Sequence, residues 1–312
     1  MFKTWKPILP EHEKTLPIGK GESLTYWEIS GREEGPSLLL VSGVHGAEYV
    51  GPLCLRHLYG ELASGDFRGR VVMLPLANPN GFYEGRKEVV PSDGINLNRA
   101  FPPAETDDES ARIARAVKEH LYPKADFLLD LHSGEIYETM VPLVFFPVGS
   151  GEEIAKKTRE AAKHILVDWR LPSTASNGLY SHATHCGIPG MIVEIGCGGR
   201  WSEELVSLEV ASVKNLMAHL GMMGTPLENT EQREATKTHY FEADADGCWF
   251  PEVVDEEVVE EGRVLGTLVS YEGEVLQEIR APFRGQSLYH SHSLGVRKGS
   301  PLVTFVSDED AI

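Results

Sequence analysis

Ser42-Gly43-Val44-His45-Gly46-Ala47-Glu48 decides the fold, because of what lies on either side of it. Ahead of it runs Leu38-Leu39-Leu40-Val41, the unbroken apolar pattern of a strand buried on both faces. Behind it, Tyr49 to Leu62 carries a helical period. A His and a Glu three residues apart at a strand-to-helix junction can address one centre, since positions i and i+3 share a helical face. Imidazole nitrogen and carboxylate oxygen are both zinc donors, and a catalytic zinc takes three protein ligands and keeps one position open. His45 and Glu48 therefore need a third ligand. His132 supplies it, at the end of a second apolar run, Leu128-Leu129-Asp130-Leu131-His132-Ser133-Gly134. A His-x-x-Glu pair alone arises by chance, and a His at a strand end is commonly a hydrogen-bonded turn residue. Each of these donors sits just past a buried strand, where ligand sites of open α/β sheets gather. The expectation is one zinc per chain, although His/Glu/His ligation also accepts other divalent ions.

Outward from this centre, strands and helices alternate. Leu24–Ile29, Ser37–Val41, Arg70–Leu76, Asp126–Leu131, Met140–Phe146 and Gly190–Ile195 read as strands. Tyr49–Leu62, Glu105–Leu121, Gly151–Val167 and Ser202–Leu220 read as helices, the last opened by Ser202 with Glu203 and Glu204 in its first turn. Residues 77–103 are irregular and rich in Gly and Pro, a length of loop that usually serves function. The alternation predicts an α/β domain, its mixed or parallel sheet covered on both faces. Gly221 to Lys237 reads as a linker, so the expected division is a catalytic α/β domain over 1–225 and a small all-β domain over 226–312. The latter holds a repeat: Ala243-x-x-x-Gly247 with Val259, Gly262 and Leu265 recurs as Ala281-x-x-x-Gly285 with Val296, Gly299 and Leu302. Two such units predict halves of a small sandwich or flattened barrel. They resemble the biotinyl/lipoyl carrier fold, but the connection at Tyr271–Gly273 offers no carrier Lys.

Bulk composition narrows the partners. The 312 residues are 41% hydrophobic and 24% charged, ordinary for a globular protein, and the net charge of −18 argues against nucleic acid or an anionic membrane. From Pro226 onward 18 acidic residues face 7 basic ones, so the acidity is concentrated in the C-terminal part. Four scattered cysteines without a C-x-x-C pair suggest a reducing compartment. Met1 to Lys20 has no apolar core, and no run reaches the ~18–20 apolar residues of a membrane span, so a cytoplasmic protein is expected.

Hydrolysis beside a zinc needs a base, and Glu194 in Met191-Ile192-Val193-Glu194-Ile195-Gly196 is the candidate. A carboxylate in an apolar strand is paired or functional more often than idle; its bland alternative is an edge residue facing solvent. In Asn96-Leu97-Asn98-Arg99, the Arg99 fork suits a carboxylate and Asn98 adds a neutral donor. Arg86 is placed to polarise a scissile carbonyl. Asn78-Pro79-Asn80-Gly81 is turn chemistry that aims the loop. His182 and His185, near Ser181, are expected on a loop, and no G-x-S-x-G elbow suggests a serine hydrolase.

With these residues assembled, the chain resembles the zinc-carboxypeptidase-like superfamily, and within it the succinylglutamate desuccinylase/aspartoacylase branch. The motifs that carry the resemblance are Gly43–Glu48, Asn78–Gly81, Asn96–Arg99, Asp130–His132 and Val193–Gly196, in the family's order. The Gly94–Pro102 run and Ala281-Pro282-Phe283 most resemble N-acyl amino acid deacylases. The resemblance implies a zinc-carboxypeptidase-like mixed sheet with a small C-terminal β domain over the catalytic mouth. It implies His45, Glu48 and His132 as zinc ligands, Glu194 as general base, Asn98 and Arg99 on the substrate carboxylate, and Arg86 on the carbonyl. The implied substrate is a small N-acyl amino acid, with a homo-oligomer possible. A carboxypeptidase of short peptides is the alternative, and a non-catalytic binding protein a further one. Carboxypeptidases close a tyrosine over the substrate; Tyr180, Tyr240, Tyr271 and Tyr289 are all candidates.

Overall fold

The structure is a computed structural model that describes residues 7–308, so the first six residues of the Met1–Lys20 segment lie outside it. Nine strands form one mixed sheet: β1 (Glu13–Gly19), β2 (Glu22–Ser30), β3 (Glu33–Ser42), β4 (Arg68–Leu74), β5 (Phe127–His132), β6 (Leu143–Pro147), β7 (Trp169–Ser173), β8 (Gly190–Glu194) and β9 (Arg233–Glu234). Their order is β1-β2-β4-β3-β5-β8-β6-β7-β9. The central strands β4, β3, β5 and β8 are mutually parallel, while β2 runs against β1 and β4, and β6 runs against β8 but parallel to β7. Six helices accompany them: α1 (Val50–Leu62), α2 (Pro79–Glu84), α3 (Glu109–Ala116), α4 (Glu152–Ala162), α5 (Leu179–His185) and α6 (Glu203–His219).

The apolar runs bury two faces at once. Leu38, Leu40, Leu129, Leu131, Met191 and Val193 pack under α1, α4 and α6. Their alternates Leu39, Val41, Leu128 and Ile192 pack under α3 and α5. A period-2 strand with apolar residues on both sides needs a helical layer on each, which is the arrangement found. The register sets Ser42 beside Leu131 and His132 beside Glu194. The residues expected to do chemistry thus emerge at the carboxyl ends of three adjacent parallel strands.

Several expectations needed adjustment. β1, β7 and α5 carry no clear sequence pattern; His182 and His185 lie on α5, not on a loop. The helix read over Glu105–Leu121 starts at Glu109 and widens into a π turn over Val117–Leu121. Within the Gly221–Lys237 segment, β9 joins the large sheet alongside β7 through a parallel pairing, so the connection adds to the sheet before leaving it.

The C-terminal part forms two antiparallel sheets from β10 (Lys237–Glu242), β11 (Gly247–Pro251), β12 (Val264–Val269), β13 (Val275–Arg280), β14 (Gln286–His290), β15 (Gly295–Val296) and β16 (Pro301–Ser307). Their orders are β10-β16-β14 and β13-β12-β11-β15. Trp249, Leu265, Leu268, Ile279, Leu302 and Phe305 fill the space between. The repeat interlocks. Gly299 N donates to Ala243 O (2.7 Å) and Ala243 N to Ser300 O (2.9 Å), while Gly262 N donates to Ala281 O and Ala281 N to Arg263 O (both 2.8 Å). Each unit's Ala is therefore tied to the other unit's Gly, and both alanines are buried.

This β part is stitched to the large sheet through the segment after His132. Thr139 N donates to His290 O (3.0 Å), Val141 N to Leu288 O (2.8 Å) and His292 N to Tyr137 O (2.8 Å). Side chains reinforce the seam: Asp255 Oδ1 lies 2.9 Å from His290 Nδ1 and accepts from Ser287 Oγ at 2.8 Å. Burial pushes the Asp255 carboxyl up, but His290 and Thr139 outweigh it and hold it below the usual range. A depressed carboxyl stabilises the fold above its unfolded pKa of about 3.9 and loses that contribution as pH falls through the folded value. Asp255→Asn is expected to cost about 1–2 kcal/mol at pH 7. In urea titrations at pH 7 and pH 3 the deficit should shrink at the lower pH; an equal deficit at both would remove the charge from the account.

Candidate active site

The Ser42–Glu48 stretch is a tight turn, and α1 begins only at Val50. His45 and Glu48 therefore converge through the turn and not through a shared helical face. The turn is braced from below: Ala77 N donates to Ser42 O (3.0 Å), Asn78 N to Gly43 O (2.8 Å), and Asn78 Oδ1 caps Gly81 N (3.0 Å). Gly46 lies on the Gly81 backbone so closely that a Cβ would stand 2.1 Å from its carbonyl carbon and oxygen. Gly46→Ala must displace one turn from the other. It is expected to destabilise by about 3 kcal/mol or more, the range of severe overpacking, and to weaken metal uptake. Unchanged thermal unfolding would show that the contact gives way cheaply.

His45, Glu48 and His132 form, among the described residues, the one group of donors with ligand atoms all within 4.8 Å of one another. Glu48 Oε1 is 2.7 Å from His45 Nδ1, and Glu48 Oε2 is 3.0 Å from His132 Nδ1. Both imidazoles thus turn Nδ1 to one point. Behind them, His45 Nε2 is hydrogen-bonded to Asn96 Oδ1 at 3.2 Å, and His132 Nε2 lies 3.2 Å from the Asp130 Oδ1 charge without a formed hydrogen bond. A partner on Nε2 fixes the tautomer that leaves Nδ1 free for a metal. Two imidazole nitrogens and a carboxylate, each oriented from behind, fit a zinc-class ion.

Electrostatics agree with a site built for a cation. Burial raises the Glu48 carboxyl, but His45 and His132 together pull it down to about 2. Burial lowers both imidazoles, yet Glu48 raises His45, and Asp130 with Glu48 raises His132 well above the usual value. Asp130 and Asn96 stand behind the two imidazoles, a placement that sequence reasoning did not give them as individuals, although both lie inside quoted motifs. Asp130 is two residues before His132 on the same strand, so their side chains share a face, and that spacing was the available signal. Asp130→Asn is expected to weaken metal binding about 10–100-fold. Competition with a chelating dye measures it; unaltered affinity would make Asp130 a bystander.

The triad opens into a cavity of about 720 Å³ that Glu194, Asn98 and Arg99 also line. Burial pushes the Glu194 carboxyl well above the usual range, and His132 only partly offsets this. Asn98 Oδ1 accepts from Leu179 N (2.9 Å), which anchors the loop to α5. Arg99 is exposed, at the mouth. Arg86 is not brought to the cavity lining: its Nε binds the exposed Glu84 at 2.9 Å, one residue past the left-handed Gly85 that ends α2. Of the tyrosines, Tyr180, Tyr240 and Tyr289 line the cavity, and Tyr271 is 91% exposed at a hairpin tip. Thr238, Tyr240, Glu242, Tyr289 and Pro301 carry the C-terminal sheet into the wall.

A further group escaped the sequence reading. Glu88, Glu135 and Glu138 also line the cavity. Glu135 Oε1 is 3.4 Å from His45 Nδ1. Burial and the neighbouring Glu48 push its carboxyl up to about 8. Burial likewise raises Glu138.

A mixed α/β sheet with a His/Glu/His donor set at the carboxyl ends of adjacent parallel strands defines a class: layered α/β proteins with a candidate metal centre at the sheet edge. Residues 34–220 match the model of the succinylglutamate desuccinylase/aspartoacylase catalytic domain. The chain belongs to the succinylglutamate desuccinylase/aspartoacylase family. It is 30% identical over 223 residues to an N-alpha-acetyl-L-2,4-diaminobutyric acid deacetylase of Halomonas elongata, a match covering 68% of this chain and 64% of that protein. The ectoine utilization protein EutE (DoeB) of Ruegeria pomeroyi, in its product-bound structure, superposes with a TM-score of 0.83 at 22% identity, over 94% of each chain. An aspartoacylase family protein of Mesorhizobium loti superposes with a TM-score of 0.79 at 25% identity, over 96% of this chain and 94% of its own. No helix among the described residues is long and apolar enough to cross a membrane.

Proposed function

We propose that the protein is a zinc-dependent hydrolase that cleaves the amide of an N-acyl amino acid, releasing a carboxylate and a free amine. The observation that carries this reading is one cavity in which the His45/Glu48/His132 donor set and Glu194 stand on adjacent strand ends. The named activity of the Halomonas elongata relative supports the amide and the amino acid. His45, Glu48 and His132 would hold the zinc ion, which would supply Lewis-acid polarisation of a carbonyl and a water of pKa ~7. Glu194 takes the proton of the attacking water as the C–O bond forms and then gives it to the departing nitrogen as the C–N bond breaks. Arg99 and Asn98 hold the α-carboxylate at the mouth. Arg86, salt-bridged to Glu84, reaches the carbonyl only if that pair opens.

The cavity favours a small molecule over a peptide. Its volume lies in the range of about 300–1,000 Å³ typical of small-molecule sites, and the C-terminal sheet supplies part of its wall. The test is metal analysis and hydrolysis of a panel of N-acyl amino acids on the same sample. One zinc per chain with chelator-sensitive release of free amine is expected. Release of C-terminal residues from peptides, with acyl amino acids untouched, would point to the carboxypeptidase alternative. Binding without turnover of either would point to the non-catalytic one.

A further inference from the structure

Of the six carboxylates that line the cavity, Glu48 belongs to the donor set and Glu194 to the proton transfer. Glu135 has neither task. It is 6% exposed, and neither of its carboxylate oxygens has a hydrogen-bond partner among the described residues. Its one ion-pair contact among them is His45, with Oε1 3.4 Å from Nδ1. Lys87 Nζ pairs with Glu88 at 3.3 Å instead, and the Arg99 guanidinium donates to Asn98 O at 2.9 Å. A buried carboxylate so placed is unfavourable until a cation pairs with it.

Backbone contacts fix where Glu135 stands. It lies three residues after His132, in the turn that leaves β5. Gly134 N donates to Gly196 O (2.8 Å) and Gly198 N to Glu135 O (3.0 Å), which laces the turn after His132 to the turn after Glu194. Glu138 Oε2 accepts from Glu135 N (3.3 Å) and holds the root of the side chain.

The atom that Glu135 meets is the telling one. His45 Nδ1 also lies 2.7 Å from Glu48 Oε1, so it is the nitrogen turned to the donor point. Zinc-class ions bind imidazole nitrogen and carboxylate oxygen at ~2.0–2.2 Å, which sets two tetrahedral donors of one ion about 3.4 Å apart. Glu135 and His45 have that spacing. Glu135 lies outside the group whose donors all fall within 4.8 Å of one another, at its His45 edge. Like charge keeps it from Glu48, and a cation between the two relieves the repulsion. The triad brings one formal negative charge to a divalent ion, and Glu135 brings a second.

We propose that Glu135 is a fourth protein donor to the metal ion, beside His45, Glu48 and His132. This rests on the metal centre described above. Two carboxylates with two imidazoles suit oxygen-preferring ions such as Mn²⁺ better than the triad alone does. An ion of that kind, taking about six donors, accepts four from the protein and still leaves room for a substrate.

The test titrates the metal-free full chain with Zn²⁺, Mn²⁺ and Co²⁺ against a chelating dye, in the parent, Glu135→Gln and Glu138→Gln. Glu135→Gln is expected to weaken binding by about tenfold or more, and Mn²⁺ more than Zn²⁺. Glu138→Gln removes a neighbouring charge but no donor, and should stay within about threefold of the parent. Because the Glu135 charge is unpaired, metal-free Glu135→Gln should unfold at or above the parent temperature. In the Co²⁺-loaded parent the visible absorption should be weak, as for five or six donors, and should intensify in Glu135→Gln as one donor is lost. Unchanged affinity in Glu135→Gln would overturn the fourth donor. So would an equal loss in both variants with the cobalt spectrum unmoved, which is the effect of charge alone. A parent that binds none of the three ions would remove the metal centre itself, and the fourth donor with it.

Discussion

Glu194→Gln is expected to lower kcat by about 10²–10⁴, the usual contribution of a positioned general base, while the protein still binds one metal per chain. The substitution keeps the size and one hydrogen-bonding oxygen but removes the proton acceptor. Glu194 is outside the donor set, so its loss should not empty the metal centre. It ends β8 beside His132, where the sheet ladder fixes its backbone whatever the side chain. The measurement pairs steady-state kinetics with metal analysis. Turnover within about threefold of the parent would sink the base assignment, given what a general base normally contributes. Loss of metal would instead move Glu194 into the coordination shell.

Removal of a ligand should have the larger effect of the two, and the histidines should differ. Without His132, Asp130, fully buried, loses the partner at 3.2 Å. Breaking a buried pair on one side costs about 3–5 kcal/mol, so His132→Ala is expected to lose metal, activity and much of its stability together. His45 is backed by the neutral Asn96 amide; its loss takes one imidazole from Glu48 and the 3.4 Å contact from Glu135, while Glu48 keeps His132 at 3.0 Å. His45→Ala is expected to bring metal content near zero and kcat to background, with a smaller loss of stability than His132→Ala. Both imidazoles are raised in the absence of metal, so uptake must displace protons. Apparent affinity in the parent should rise with pH until those sites no longer hold a proton. A pH-independent affinity, or His45→Ala retaining full metal, would contradict the ligand set.

The features legible in the sequence were those with a strong period or a donor at a strand end. Leu38–Val41 is buried on both faces and continuously apolar, and Phe127–Leu131 is so but for Asp130, so their ends, and the donors beyond, are marked. β1 was missed because Glu13–Gly19 buries only Leu16 and Ile18, on either side of Pro17, the short pattern of an outer strand with one dry face. β7 was missed because Trp169–Ser173 is five residues with a Pro in it, held by β6 and by the Arg233 guanidinium over the Trp169 ring. Glu88, Glu135 and Glu138 were illegible for another reason. A carboxylate in a loop looks solvated until tertiary structure takes its water away, and no local spacing announces that. Arg86 is the reverse case: a charge next to a functional loop whose partner, Glu84, lies two residues back on the chain.

The backbone seam between residues 137–141 and the C-terminal sheet bears on how such a protein can change over time. A β part joined by a flexible tether can be exchanged or lost as a unit. Here the segment that follows His132 and carries Glu135 and Glu138 hydrogen-bonds to His290, Leu288 and His292 as though it were one more strand of that sheet. Shortening the chain before β10 would leave that segment with unpaired amides and carbonyls and the cavity without part of its wall. Inheritance of the two parts is therefore joint. A drift in the sequence of β14 reaches the cavity wall as directly as a drift in the loop itself, since Tyr289 lines it and Leu288 and His290 each sit one backbone hydrogen bond from the loop, at Val141 and Thr139.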